Sequence, residues 1–225
     1  MQLAKPRLDI GVFTNRGPEM LAFWQDTVGL PFEETLPTGG GNLQQRHGLN
    51  GSVFKLNVSR DPLPAEAPSG YRALLIAREG LAAPIALVDP DGNRVTLVPP
   101  GTEGISAIGV RLAVSDERAF HRFYEALGFE PAGERAYRCG DSLLQFAHDP
   151  TAARAGAMRG TGYRYLTVQV RDVDKEHAAL LRAGVEEGRP PVTLGETARI
   201  SFIRDPDGNW IEISQWASLT GPLPA

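Results

Sequence analysis

Along most of this chain apolar residues either alternate with polar ones or recur every third and fourth position, and the two periods take turns. Three segments follow the same course. The first reads as a strand over residues 8–13, a helix from about Pro18 to Val28, and a stop at Gly29-Leu30. The second reads as a strand over 110–114, Ser115 or Asp116 as cap, a helix through Leu127, and Gly128-Phe129. The third runs from a strand over 166–170 through Asp172 and a helix to Ala183, ending at Gly184-Val185. A capping side chain or proline at the start and a glycine at the stop are what the unpaired backbone groups of helix ends require. In the second helix Phe120, Phe123, Tyr124 and Leu127 form one apolar stripe, a face made to pack on a sheet.

Hairpins follow the helices. Residues 51–58 can be laid over 140–148, and each is soon followed by Asp-Pro, at Asp61-Pro62 and Asp149-Pro150. The third helix leads into strands over 192–194 and 198–203. Two later strands open identically: V-D-P-D-G-N-R-V-T-L-V at 88–98 and R-D-P-D-G-N-W-I-E-I-S at 204–214. Pro90 and Pro206 preset φ, the following Asp-Gly step supplies a left-handed position, and Asn93 or Asn209 opens an alternating strand. The repeating unit is therefore β-α-β-β-β. A shortened copy, with a strand over 71–77 and too few residues at 80–83 for a helix, precedes the first D-P-D-G-N. The expected fold is α+β: four units, the second degenerate and without its helix, pair into two curved mixed sheets with helices outside. Linkers rich in Pro, Gly or Ala at 59–70, 99–104 and 149–162 put the main boundary near 99–105. Units 1 and 2 would then make an N-terminal half, residues 1–100, and units 3 and 4 a C-terminal half, residues 101–225.

Composition narrows the function. The 225 residues carry a net charge of −4 without basic blocks, so nucleic acid is excluded as a partner. The start has no apolar signal-peptide core and no run reaches bilayer-spanning length, so no membrane partner is expected. One cysteine, Cys139, allows no internal disulfide, consistent with a reducing, cytoplasmic setting. It has no neighbouring His or Asn in sequence and reads as a packed thiol. Gly39-Gly40-Gly41 lacks the following Lys-Ser/Thr of a phosphate loop and reads as a bend before a hairpin.

The stretches at 114–129 (V-S-D-E-R-A-F-H-R-F-Y-E-A-L-G-F), 170–185 (V-R-D-V-D…L-R-A-G-V) and 205–213 (D-P-D-G-N-W-I-E-I) resemble the vicinal oxygen chelate superfamily, which groups glyoxalase I, bleomycin-resistance proteins, fosfomycin-resistance enzymes and extradiol dioxygenases. That resemblance implies paired units curled into a half-open cup, often with a divalent metal at its floor held by inward residues of first and last strands. Pleat parity places these slots here. With Ile211 and Ile213 facing the helices, Trp210, Glu212, Ser214 and Trp216 point into the cup, and Glu212 matches the family's final carboxylate ligand. Gln145 takes the matching position in the third unit. The slots where the family carries His correspond to Gly109 and Tyr165, and Lys55 stands where the N-terminal half would hold its metal.

A transition-metal site needs three or four N, O or S ligands. His121 and His177 lie within helices and His148 has helix-facing parity, which leaves His47, on the first hairpin, as the histidine candidate. The expected cofactor is thus none, with Fe, Zn, Mn or Ni held through Glu212 as the alternative. The residue set that remains suggests a small-molecule enzyme acting on a polar organic substrate by proton transfer. In that reading Glu212, Arg111 and Tyr165 are catalytic, and Gln145, Gln169, Trp210, Lys55 and His47 bind substrate. Arg111 opposite Glu212 as a structural ion pair is the competing reading. A non-catalytic binder of the bleomycin-resistance type, gripping an aromatic or cationic compound, is the alternative function. The resemblance also leaves a homodimer open.

Overall fold

The computed structural model describes residues 1–223. Unit 1 comprises β1 (Leu3–Thr14), α1 (Gly17–Ala22), β2 (Phe32–Gly39), β3 (Asn42–Leu49) and β4 (Ser52–Ser59). Unit 2 has only strands: β5 (Tyr71–Ala77), β6 (Ile85–Val88) and β7 (Arg94–Val98). Unit 3 contains β8 (Ile108–Val114), α2 (Glu117–Ala126), β9 (Glu130–Pro131), β10 (Ala136–Cys139) and β11 (Ser142–His148). Unit 4 contains β12 (Gly162–Val170), α3 (Val173–Arg182), β13 (Glu186–Leu194), β14 (Ala198–Arg204) and β15 (Trp210–Trp216), with a final turn α4 (Ala217–Thr220). The α+β fold of four units, the second without a helix, is the one expected from the pattern. No helix among the described residues is long and apolar enough to cross a membrane.

Local chemistry sets the element ends. Asp116 and Asp172 each accept a hydrogen bond from the backbone N–H three residues on, at 2.9 and 3.0 Å. Gly128 and Gly184 close α2 and α3 in the left-handed region, at φ +77° and +83°. The first helix departs from expectation: after Ala22 it widens into a π turn over Phe23–Thr27, with Val28 N–H bonded to Phe23 C=O at 2.9 Å. That extra residue in the turn accompanies a fully buried Trp24, whose ring lies 4.0 Å from that of Phe54.

The two D-P-D-G-N turns fold alike. Asp89 and Asp205 each accept from the backbone N–H and the side-chain amide of the Asn four residues on, at 2.7 to 2.8 Å. Each Asn then reaches across to the other sheet. Asn209 Oδ1 accepts from Gly70 N–H at 2.5 Å, just before β5, and Asn93 Oδ1 accepts from Tyr163 N–H at 3.3 Å, in β12.

Strand pairing differs from the expected division. The eight-stranded first sheet runs β13-β14-β15-β12-β1-β4-β3-β2, which joins unit 4 to unit 1. The seven-stranded second sheet runs β6-β7-β5-β8-β11-β10-β9, which joins unit 2 to unit 3. Each junction is an antiparallel pair of first strands, β1 with β12 and β5 with β8. A cut between residues 100 and 101 therefore runs through both sheets. Alternation fixes which face a strand buries, and it carries no information about which unit becomes the neighbour.

One core fills the space between the sheets and under the helices. Leu8, Ile10 and Val12 meet Leu74, Ile76, Val110, Leu112, Leu166 and Val168 there, together with Ile211, Ile213 and helix residues such as Phe120 and Leu180. The opposite, concave faces end differently. In the second sheet a 3-10 turn at Thr102–Gly104 brings Ile105 onto the concave face, where it is fully buried against Leu75, Ala77, Val98 and Leu143. Gly109 leaves it room, because a Cβ there would lie 2.8 Å from Ile105 Cδ1. In the first sheet the concave face stays open.

Candidate functional site

The open face of the first sheet encloses a cavity of about 710 Å³, walled by the β2–β3 hairpin on one side and the β13–β14 hairpin on the other. Apolar lining comes from Phe13, Met158, Ile200, Phe202 and Trp216, polar lining from Gln44, Asn57, Lys55, Tyr165 and Glu212. The floor is built by inward residues of four adjacent central strands, β15, β12, β1 and β4. Their outward neighbours Ile211, Leu166, Ile10 and Phe54 belong to the core, as pleat alternation demands.

At the centre of the floor Lys55 Nζ donates to Glu212 Oε2 at 2.7 Å and to Thr167 Oγ1 at 2.7 Å. Thr167 in turn donates to the same Glu212 oxygen at 2.6 Å. The two charged side chains are 2% and 9% exposed, so the contact is a nearly dry ion pair. Removing both ions from water costs several kcal/mol each, and a hydrogen-bonded contact this close is what offsets it. Glu212 Oε1 has no protein donor among the described residues and faces the cavity.

Tyr165 lies beside the pair, its ring centroid 5.6 Å from Lys55 Nζ. Its hydroxyl accepts from Asn57 Nδ2 at 3.2 Å and from Gln44 Nε2 at 3.4 Å. Burial first, and the charge of Glu212 second, push its pKa far above that of a free phenol, so the hydroxyl keeps its proton. The ring takes the place of a side chain on β1: a Cβ at Gly11 would fall 2.1 Å from Tyr165 Cε1.

Inward parity is as expected for Glu212, Tyr165 and Lys55, and the fold brings these three together. Arg111 and Gln145 belong elsewhere. Arg111 bonds both oxygens of Glu103 at 2.7 and 2.8 Å, and Gln145 Nε2 donates to Glu103 at 3.3 Å, all on the closed face of the second sheet. The Arg111–Glu103 pair is 44% and 49% exposed, a geometry worth roughly 0–1 kcal/mol. Glu212 thus pairs with Lys55 and not with Arg111, because units 1 and 4 share a sheet. Gln169 is buried further along β12, where it donates to Asp9 Oδ2 at 3.2 Å outside the cavity lining. Trp210 supports the wall from behind, edge-on to Phe202 at 6.1 Å, with its indole N–H on Gly156 C=O at 3.0 Å.

His47 also leaves the set. On β3 it is Gln44 and Arg46 that line the cup, and His47 points to the other face, fully buried between Phe32 and Phe54. Desolvation holds its pKa below the usual histidine value, and Nε2 meets Gln25 Nε2 at 3.0 Å. Cys139 is a buried thiol pushed up to about 12, chiefly by desolvation, and far from nucleophilic.

Several lining residues carry no local sequence signal. Arg159 comes from the linker between β11 and β12, and Arg189 from a register shift in β13. Arg46 stacks on Trp216 at 4.3 Å and approaches Glu34 at 3.1 Å without hydrogen-bond alignment at its Nε.

A transition-metal ion takes three or four N, O or S ligands. The floor offers one carboxylate, already bonded to an ammonium, beside a phenol and a threonine hydroxyl. Among the described residues no cluster of three or more His, Cys, Asp or Glu forms. This donor set is that of an ion pair, not of a coordination shell.

The sequence model of the Glyoxalase/Bleomycin resistance protein/Dioxygenase superfamily matches residues 104–213. Glyoxalase I from Zea mays is similar in structure, with a TM-score of 0.74, 15% identity, and coverage of 93% of this chain and 92% of that one. A putative dioxygenase from Bacillus subtilis follows at a TM-score of 0.69 and 14% identity, covering 96% of this chain and 85% of that one. No curated protein matches the sequence.

Proposed function

With residues 104–213 belonging to the glyoxalase/bleomycin resistance protein/dioxygenase superfamily, we propose that the protein binds a small organic molecule in the cup of the first sheet and acts on it by proton transfer at Glu212, without a coordinated divalent metal. The observation that carries this reading is the Lys55–Thr167–Glu212 contact at the cup floor. An ammonium 2.7 Å from the one carboxylate of the floor already supplies that carboxylate with a positive charge, which supports the metal-free reading.

Such a floor has a defined chemistry. Glu212 Oε2 is fixed by two donors, while Oε1 stays free to take a proton from a carbon acid lying above it. The negative charge that develops on the substrate oxygen would be met by the Lys55 ammonium and by the Tyr165 hydroxyl. The hydroxyl's own hydrogen has no protein acceptor among the described residues. Return of the proton from Glu212 to another substrate atom completes an isomerisation with no redox change.

Hydrogen–deuterium exchange tests this directly. Phenylpyruvate, an aromatic carbon acid small enough for the cup, is incubated with the protein in D2O and its C3–H signals are followed by NMR. The wild type is expected to accelerate exchange, and Glu212→Gln to lose about 100-fold or more of that acceleration while retaining binding within a few-fold. Binding without accelerated exchange would support the second reading, sequestration. The aromatic walls from Phe13, Phe202 and Trp216 favour it.

A further inference from the structure

The charges lining the cup do not balance. Lys55 and Glu212 neutralise each other at the floor, and Arg46 approaches Glu34 on the hairpin wall. Arg159 and Arg189 remain, and among the described residues neither forms an ion pair. A chain with a net charge of −4 thus keeps in one cavity two guanidinium groups with no salt-bridge partner among the described residues, the compensating charge nearest Arg159 being the exposed Asp61 beside Arg60.

Each has a fixed setting. Arg159 donates to Ser59 Oγ at 3.1 Å, and its Nε is buried with no protein acceptor. Its NH1 lies against the tip of the β2–β3 hairpin, 3.6 Å from where a Cβ on Gly40 would stand. Arg189 arises where β13 slips register against β14, and its guanidinium spreads over the rings of Phe202 and Trp210 at 5.8 and 5.9 Å. A cation–π contact of this kind holds the guanidinium near the aromatic wall, and none of its N–H groups has a protein acceptor among the described residues. A buried donor without an acceptor is rare in folded proteins, and here one belongs to a cation that lines the cavity.

We propose that the molecule taken by the cup carries an anionic group, a carboxylate or a phosphate, received by Arg159 and Arg189, with its apolar body against Phe13, Phe202 and Trp216. This rests on the reading that the cup of the first sheet binds a small molecule. It is independent of whether Glu212 moves a proton. A guanidinium fork matches both anions, and a charge-assisted hydrogen bond to either one is stronger than a neutral one.

Titration with three probes separates the outcomes: 4-phenylbutyrate, phenyl phosphate, and neutral 4-phenylbutanol, each followed by calorimetry. The wild type is expected to bind at least one anion about ten-fold or more tighter than the alcohol. Whichever anion gains more identifies the preferred group. In the double variant Arg159→Gln with Arg189→Gln that preference is expected to vanish, while the affinity for the alcohol stays within about two-fold and so reports an intact cup. Equal affinity for alcohol and anions in the wild type would overturn the anion clamp and leave the cup reading standing. So would a preference that survives the double variant. No binding of any probe would overturn both.

Discussion

Lys55 and Glu212 stand 157 positions apart, yet their side chains meet at 2.7 Å with almost no exposure. Breaking such a pair from one side leaves a buried, uncompensated charge, which costs about 3–5 kcal/mol. Lys55→Met is expected to lower stability by about that amount in urea unfolding, and adding Glu212→Gln to recover most of it. A double variant no more stable than Lys55→Met would mean that the two groups are not coupled. The sequence gives the facing of each residue through pleat parity, which is why Glu212, Tyr165 and Lys55 emerge as inward. It does not give the encounter. Arg111 has the same inward parity as Glu212 and never meets it, since the two stand on different sheets. His47 shows the limit of the rule in a strand whose register is not known beforehand: one step of phase separates Arg46 in the cup from His47 in the core.

At the scale of elements, the two D-P-D-G-N turns are chemically identical and differ in what surrounds them. Asn209 is fully buried and joins Asp205 to Gly70, whereas Asn93 is half-buried and holds Tyr163 N–H at a longer 3.3 Å. Removing Asn209 leaves the Gly70 N–H unmet in a dry setting, a loss of roughly 1–3 kcal/mol for the orphaned group. Asn209→Ala is therefore expected to destabilise the fold by at least about 1 kcal/mol more than Asn93→Ala in parallel thermal unfolding. Equal effects would show that burial does not distinguish the two turns. Capping aspartates, closing glycines and turn prolines were all legible, because they act within a few residues of themselves. The π turn after α1 was not, because Trp24 is drawn into the core by contact with Phe54 on a strand far along the chain.

At the scale of the molecule, the pairing of unit 1 with unit 4 and of unit 2 with unit 3 makes one cup from the two ends of the chain and fills the other with Ile105. A fragment of residues 101–225 would carry β12 without β1 and β8 without β5, exposing the backbone edges and apolar faces of both central strands. It is expected to be unfolded or aggregated alone by circular dichroism, and to regain structure when co-expressed with residues 1–100. A cooperatively folded 101–225 fragment would contradict that pairing as the basis of stability. What the sequence by itself determined was the repeating unit, the α+β class, the ends of most helices and the face to which most residues of the central strands turn. All of these depend on backbone periodicity and on hydrogen bonds between near neighbours. What only the tertiary structure decided was the partner of each unit, and hence that an ammonium rather than Arg111 faces Glu212 and that Arg159 and Arg189 reach the same cavity. Those outcomes depend on which edges of four similar units meet, a choice made by packing across the whole chain and written in no single stretch of it.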